Sequence, residues 1–421
     1  MFTRIQANGF KSLLSIDQRL GPFCALVGPN ASGKTSFLDC VSLLSDLMQS
    51  RGDVQEVLRS HSSDFRNLVW REQSNRFQLA VETTIPESIR EKIMDEKFRP
   101  NARVRYEIEI GLGDDDVLGI NSETLWLIAQ ERSCGGGRPL DFFPDMQLES
   151  DSILLKTGSA RKALLRKKEN GNDNYYPEGK HTYKPVFKLG RQKSALANLP
   201  ADAESFPVSG WFLDYLRSGV QPFVLNSHKI RMASPPSQSR RFIPDGSNLP
   251  WMIAELKVKN EGRFCKWLRH IQTALPDIVD ISTVVKEEDR HCYLRVHYFN
   301  GAVVPSWLVS DGTLRLLALT IPAYLPNFKG TFLIEEPENG IHPSALETVL
   351  QSLMSIYSGQ VLMATHSPIV LNMVEPEKIL CFAKDVNGAT AIVSGENHPA
   401  LRAWKNGNPD LGTLFAAGIL G

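Results

Sequence analysis

Apolar positions divide the chain into stretches of different period. Arg4 to Leu14 reads as a strand, and Phe23 to Val27 is a short apolar run that stops at Gly28. From Lys34 onward Phe37, Leu38, Val41, Leu44 and Leu47 recur at helical spacing, so a helix follows the glycines. Residues 77–85 (FQLAVETTI) and 103–112 (RVRYEIEIGL) alternate as half-buried strands, with a short polar helical stretch at 87–97 between them. After residue 290 the pattern becomes compact again. YLRVHYF (293–299) is a strand and Thr313 to Thr320 starts a helix. TFLIEE (331–336) is an apolar strand with little alternation, as in parallel sheets buried on both faces. ALETVLQSLMSIY (345–357) is a helix and QVLMAT (360–365) a further apolar strand. Strand–helix–strand with short loops predicts an α/β sheet with right-handed crossovers.

The middle of the chain differs. Residues 156–193 hold eleven Lys/Arg against three acids. The centre of that segment, ENGNDNYYPEGKHTY, is rich in turn formers and predicts an exposed loop. Tyr175, Tyr176 and Tyr183 stand among its lysines, a mixture that suits single strands and RNA and equally a solvated loop that keeps the protein soluble. Asp114, Asp115 and Asp116 form a solvated acidic turn, and Pro235 and Pro236 break regular structure at 233–241.

Composition narrows the class. The chain has 421 residues, 42% hydrophobic and 22% charged, enough apolar material for two or three compact units. Lys+Arg and Asp+Glu are 47 each, so overall basicity cannot hold the protein to nucleic acid. The N-terminus lacks a secretory apolar core, and the most apolar stretch, Leu314 to Phe328, is broken by Arg315, Pro322 and Pro326. The six cysteines are scattered without a CxxC pair, which argues against a zinc knuckle or a disulfide framework. The expectation is a soluble protein of a reducing cytoplasm, with no membrane partner.

Gly28-Pro29-Asn30-Ala31-Ser32-Gly33-Lys34-Thr35, followed by Ser36, fits GxxxxGK[ST] between an apolar strand and a helix. Glycines at 28 and 33 let the backbone curl around a phosphate, and the helix N-terminus donates to the anion. Lys34 brings a point charge to the β- and γ-phosphates of ATP, and Thr35 offers a hydroxyl to Mg²⁺. Glu335 and Glu336 end an apolar strand. The first suits Mg²⁺, and the second can orient and deprotonate an attacking water. His366 ends another apolar strand, where an imidazole faces the ligand edge of a parallel sheet and can hydrogen-bond the γ-phosphate. Ser310, Asp311, Gly312 and Thr313 open a helix and make a second anion site.

The order GPNASGKT, LVSDGTLR, FLIEEPENGIHP and ATHSP resembles the ATPase head of ABC type, and more narrowly the SMC/RecF/OLD-like group of bacterial repair and defence ATPases. IQANGFKSL at the start and DGSNLPWMIAEL at 245–256 match the same group, whereas residues 110–240 carry little of the resemblance. It implies an α/β P-loop NTPase fold of the ABC/RecF-like type, a mixed sheet flanked by helices, with an inserted lid or arm subdomain. It implies that Ser310 and Gly312 contact the γ-phosphate of ATP bound to a second subunit, and that Glu336 is the catalytic glutamate. His366 then takes the switch histidine's place, and Pro337 to His342 the loop crossing the dimer. Glu335 stands where Asp is usual, the signature reads SDGT rather than SGGQ, and the Q-loop glutamine falls to Gln73 or Gln78.

Three units follow. Residues 1–80 carry the first half of the head with the phosphate loop, 81–290 the inserted lid or arm with the basic segment 156–193, and 291–421 the second half with its tail. In the tail Trp404, Leu411, Leu414, Phe415, Ile419 and Leu420 are expected to dock on the head or on a partner. No spanning segment partners a transporter and no heptads form an SMC-type coil. The stretch after Ser367 is too short for the Toprim domain of OLD nucleases. The expected function is a dimeric Mg²⁺-dependent ATPase switch, the sensor or regulatory subunit of an anti-phage defence system with a separately encoded nuclease or toxin effector. The alternative is a RecF-like DNA-binding repair protein that closes on DNA through the basic segment. The paired carboxylates argue against a scaffold without hydrolysis.

Overall fold

The computed structural model describes residues 1–72, 74–100, 102–113, 116–129, 152–180, 183–238, 242–326 and 330–398. Gln73, Asp114, Asp115 and the whole tail segment with Trp404 lie outside the described residues. In the first part of the chain the strands are β1 (Phe2–Phe10), β2 (Leu13–Arg19), β3 (Phe23–Val27), β4 (Arg76–Thr84), β5 (Arg103–Leu112) and β6 (Leu118–Ile128). Then come β7 (Arg161–Lys168), β8 (Asp173–Tyr175), β9 (Val186–Phe187), β10 (Val220–Phe223), β11 (Ile278–Val285), β12 (Cys292–Tyr298) and β13 (Val303–Pro305). The last are β14 (Thr331–Glu335), β15 (Gln360–Thr365), β16 (Ile379–Lys384) and β17 (Thr390–Ser394). The helices are α1 (Lys34–Gln49), α2 (Val54–His61), α3 (Glu87–Arg90), α4 (Pro207–Asp214) and α5 (Ser227–Arg231). They continue with α6 (Leu249–Lys259), α7 (Glu261–Ala274), α8 (Asp311–Thr320), α9 (Pro343–Met354) and α10 (Pro368–Met373).

Three sheets organise these strands. A six-stranded sheet runs β10-β14-β15-β3-β16-β17, parallel except for the hairpin partner β17. An eight-stranded antiparallel sheet runs β2-β1-β4-β5-β6-β7-β8-β9, and β11-β12-β13 form a small third sheet. Alternate residues of β3 serve two cores. Cys24 and Leu26 pack with α1, α2 and the eight-stranded sheet, while Phe23, Ala25 and Val27 pack with α6 to α9. The central parallel strands are buried on both faces, as their unbroken apolar runs predict.

Gln360, at the start of β15, joins the two large sheets. It is fully buried. Its Oε1 accepts from the Phe2 amide and the Thr331 hydroxyl, both at 3.0 Å. Its Nε2 donates to the Phe2 and Gly21 carbonyls, both at 2.8 Å.

The structure departs from the sequence reading in three places. The strand expected over Arg4–Leu14 is a hairpin. Lys11 turns in the left-handed region at φ +49° and its amide bonds the Leu68 carbonyl at 3.0 Å. Secondly, β4 and β5 are buried on both faces rather than one. Their polar face is dry because its side chains satisfy one another. Arg105 reaches Glu82 at 3.0 Å and Glu107 at 2.5 Å, and Trp126 donates to Glu107 at 2.9 Å. Thirdly, the centre of the basic segment, expected as a loop, carries the short strand β8, while the segment's flanks supply β7 and β9. No helix among the described residues is long and apolar enough to cross a membrane.

Gln360→Leu strands the Phe2 main chain and the Gly21 carbonyl in a dry interior. At about 1–3 kcal/mol for each buried group left unpaired, urea denaturation should show a loss of at least about 3 kcal/mol.

Candidate nucleotide site

Parallel register builds the site. Glu335 pairs with Ala364, and Thr365 pairs with Val27, so β3, β14 and β15 end level. The residues just past those ends, Gly28, Glu336 and His366, therefore share one edge of the sheet, where ligands of open α/β sheets bind. Lys34, Thr35, Glu335, Glu336 and His366 line one cavity of about 390 Å³.

The phosphate loop fits an anion. Gly33 sits at φ +105° with the Thr390 side chain where a Cβ would stand, so only glycine serves. No side chain caps the N-terminus of α1, which leaves its amides for a ligand. The Ser32 hydroxyl is buried without a hydrogen-bond partner among the described residues. Gly28, Pro29, Asn30, Ala31 and Ser36 complete the turn, and Ser36 meets Ser12 at 3.1 Å. Lys34 Nζ donates to the Gly28 and Pro29 carbonyls, both at 2.7 Å. Burial lowers the Lys34 ammonium to about 8, against Glu336, Glu335 and Glu338, whose charges raise it.

Thr35 Oγ1 donates to Glu335 Oε2 at 2.9 Å. These two oxygens suit Mg²⁺, which takes one or two protein ligands alongside substrate phosphates. Among the described residues no cluster of three or more His, Cys, Asp or Glu could hold a metal unaided. The longer reach of Glu335 over Asp thus still brings its carboxylate to Thr35.

Glu336 occupies the left-handed region at φ +46°, with its amide bonded to the Ala364 carbonyl at 2.8 Å. Its Oε2 accepts from Asn339 Nδ2, and its Oε1 lies 3.6 Å from His366 Nε2. A carboxylate held between an amide and an imidazole, half exposed, is placed to take a proton from water.

The signature residues stand apart from this cavity. Ser310 caps α8, its Oγ accepting from the Thr313 amide at 3.2 Å. Gly312 packs on the Gly340 carbonyl, where a Cβ would come within 2.9 Å. Arg231 Nε donates to Asp311 at 2.9 Å, which neutralises the acid that replaces the signature's glycine. Gln78 is remote in bonding. It donates to Glu109 at 2.6 Å and accepts from the Ile153 amide at 2.9 Å within the polar face of β4.

Much of the basic segment is spent internally. Lys167 and Asp173 form a buried pair at 2.7 Å, and the buried Tyr175 donates to the Ala195 carbonyl at 2.9 Å. Lys193 meets Asp53 at 2.9 Å and Arg191 meets Glu169 at 3.3 Å. Lys156, Lys168, Lys180, Lys184, Lys188 and Tyr183 remain exposed.

Sequence reasoning did not single out Ser12 or Lys384, and it placed Glu338 and Asn339 only within the Pro337–His342 loop. Ser12 and Lys384 line the cavity. Ser12 sat inside the matching first strand and was legible. Lys384 ends β16, a strand with no motif.

Fold and site together define a P-loop ATPase domain whose fold is that of ABC-type heads. The chain belongs to the family described as AAA domain, putative AbiEii toxin, Type IV TA system, whose model matches residues 23–372. Among the solved structures that share the fold are two Smc heads. One is the Smc head bound to the C-winged helix domain of ScpA, with TM-score 0.52, 13% identity, and 93% of this chain and 96% of that one covered. The other is the Smc head with an extended coiled coil bound to the C-terminal domain of ScpA derived from Pyrococcus furiosus. Its TM-score is 0.52 at 13% identity, covering 96% of this chain and 98% of that one. The OLD nuclease of Thermus scotoductus is 43% identical over 60 residues, 14% of this chain and 10% of that nuclease. The matched segment is thus a small part of that relative. The likeness to SMC heads and to OLD nuclease is the one the motif order implied.

Lys34 is charged below about pH 8 in the free protein and loses its proton above it. Affinity for a non-hydrolysable ATP analogue, measured by calorimetry, should therefore fall as pH rises from 7 to 9. Gly33→Ala should abolish that binding at either pH, because the methyl group displaces Thr390 and the loop with it.

Proposed function

We propose that this chain is a dimeric, Mg²⁺-dependent ATPase switch of the cytoplasm. The observation that carries the reading is the single cavity that holds Lys34, Thr35, Glu335, Glu336 and His366, with Ser310 and Gly312 outside it. The chain's own signature thus does not close its own site, and a second copy would supply the missing wall. Lys34 exchanges the Gly28 and Pro29 carbonyls for the β- and γ-phosphates of ATP. Bound by Thr35 and Glu335, Mg²⁺ supplies charge neutralisation to the phosphates. Glu336 takes the proton of the attacking water, and His366 donates to the γ-phosphate. The partner's Ser310 and Gly312 donate to the same phosphate from α8. Hydrolysis removes the group that both copies hold and releases the dimer.

The biological role proposed is that of sensor or regulatory subunit in an anti-phage defence system, with a separately encoded nuclease or toxin as effector. The toxin–antitoxin description of the family and the partial likeness to OLD nuclease support it. Exposed Lys168, Lys180, Lys184 and Lys188 favour a second reading, a RecF-like protein that closes on DNA.

Lys34→Ala should lose ATP binding. Glu336→Gln should bind ATP normally, form a dimer visible by light scattering, and turn over at least about 100-fold more slowly. Rapid turnover by Glu336→Gln would remove Glu336 as the base. Tagged Glu336→Gln, recovered from native cells with ATP, should retain a second protein after nuclease treatment. Retention of nucleic acid alone would favour the DNA reading, and four substitutions, at Lys168, Lys180, Lys184 and Lys188, should then flatten the salt dependence of binding.

A further inference from the structure

Glu338 lies past the strand that delivers the catalytic carboxylates, on a turn that reaches two other parts of the site. Its Oε1 accepts from Thr365 Oγ1 and from the His366 main-chain amide, both at 2.8 Å. Thr365 Oγ1 accepts in turn from the Ser367 amide at 3.0 Å. One carboxylate oxygen thus fastens both sides of the turn that carries the His366 imidazole. That turn needs such a tether. β15 ends at Thr365, so the sheet ladder holds His366 no further. The imidazole stands 3.6 Å from Glu336, too far for a good hydrogen bond to fix it.

The same short loop is held from its other side by the signature helix. Arg315 Nη1 donates to the Asn339 carbonyl at 3.1 Å, and Gly312 packs on the Gly340 carbonyl. Asn339 holds Glu336. The loop therefore bonds the signature helix, the proposed base and the histidine turn at once. Glu338 Oε2 is buried without a partner among the described residues, so no competing bond draws the carboxylate elsewhere.

We infer that Glu338 is the positioning residue of His366: it sets the imidazole through the turn's main chain and ties its place to the loop that α8 grips. The inference rests on the ATPase reading for its effect on rate, but the placement itself is independent of turnover. Glu338 makes no hydrogen bond to the phosphate loop, although its charge supports that of Lys34, so ATP affinity and turnover should separate in Glu338→Asp, which keeps the charge and withdraws the oxygen. Gln at 338 keeps an acceptor oxygen at the same reach, Asp withdraws it by one methylene, and Ala removes it.

The test uses the full chain with selectively labelled histidines and follows the His366 imidazole by NMR beside ATP binding and turnover. In Glu338→Ala and Glu338→Asp the His366 resonances should shift and broaden, and in Glu338→Gln they should keep their native positions. Turnover should fall at least about tenfold in Glu338→Asp, which keeps the charge near Lys34, with ATP affinity within about twofold of the parent. In a His366→Ala background the substitution at 338 should cost turnover nothing further, since a residue acting through another is not additive with it. Native His366 resonances in both Glu338→Ala and Glu338→Asp would overturn the inference. Equal losses of turnover with and without His366 would do the same. If Glu338→Ala does not fold, Glu338→Asp carries each arm. A parent protein that binds ATP but never hydrolyses it defeats the ATPase reading alone, and the NMR comparison still decides the placement.

Discussion

A single amide side chain settles how the two large sheets face each other. Gln360 spends its oxygen on the Phe2 amide and the Thr331 hydroxyl, and its nitrogen on the Phe2 and Gly21 carbonyls. All of this is dry, so each bond is costly to lose. β1 is thereby fixed against β15. The turn at the far end of β1 carries Ser12, which reaches Ser36 and Thr390 beside the phosphate loop. The geometry around a bound phosphate thus depends on a contact made at the other end of the strands.

The eight-stranded sheet answers a second constraint. One of its faces packs on α1 and α2, and the other is polar yet enclosed. Arg105, Glu82, Glu107, Glu109 and Gln78 can stay there because each carboxylate finds a cation or an N–H donor. Glu123 shows the same logic alone. It accepts from Tyr106, Ser194 and the amides of Ala195 and Leu196, and burial still raises its carboxyl above the ordinary range.

The phosphate loop was legible because its chemistry is local: a strand, two glycines, a lysine and a helix start within one short segment. Glu335, Glu336 and His366 were legible for a related reason, since each ends an apolar strand and parallel strands end together. The polar face of β4 and β5 was not. A period of two says which residues share a face, and reads a charged face as wet. Only the pairing of Arg105 with partners on neighbouring strands shows that it is dry. The basic segment misled in the same way. Charge density marks a surface only when the charges lack internal partners, and Lys167 has Asp173. Glu338 fell within the Pro337–His342 loop assigned to the dimer crossing, but its bonds within the chain depend on a turn that arrives from a different strand.

Lys34 rests on the carbonyls of its own loop. The loop's own hydrogen bonds thus shape a cradle and hold its cation at the sheet edge where Glu335 and Glu336 end. A cation held by two main-chain oxygens of its own loop spends less conformational entropy on meeting an anion than a free lysine would, because its side chain is already ordered.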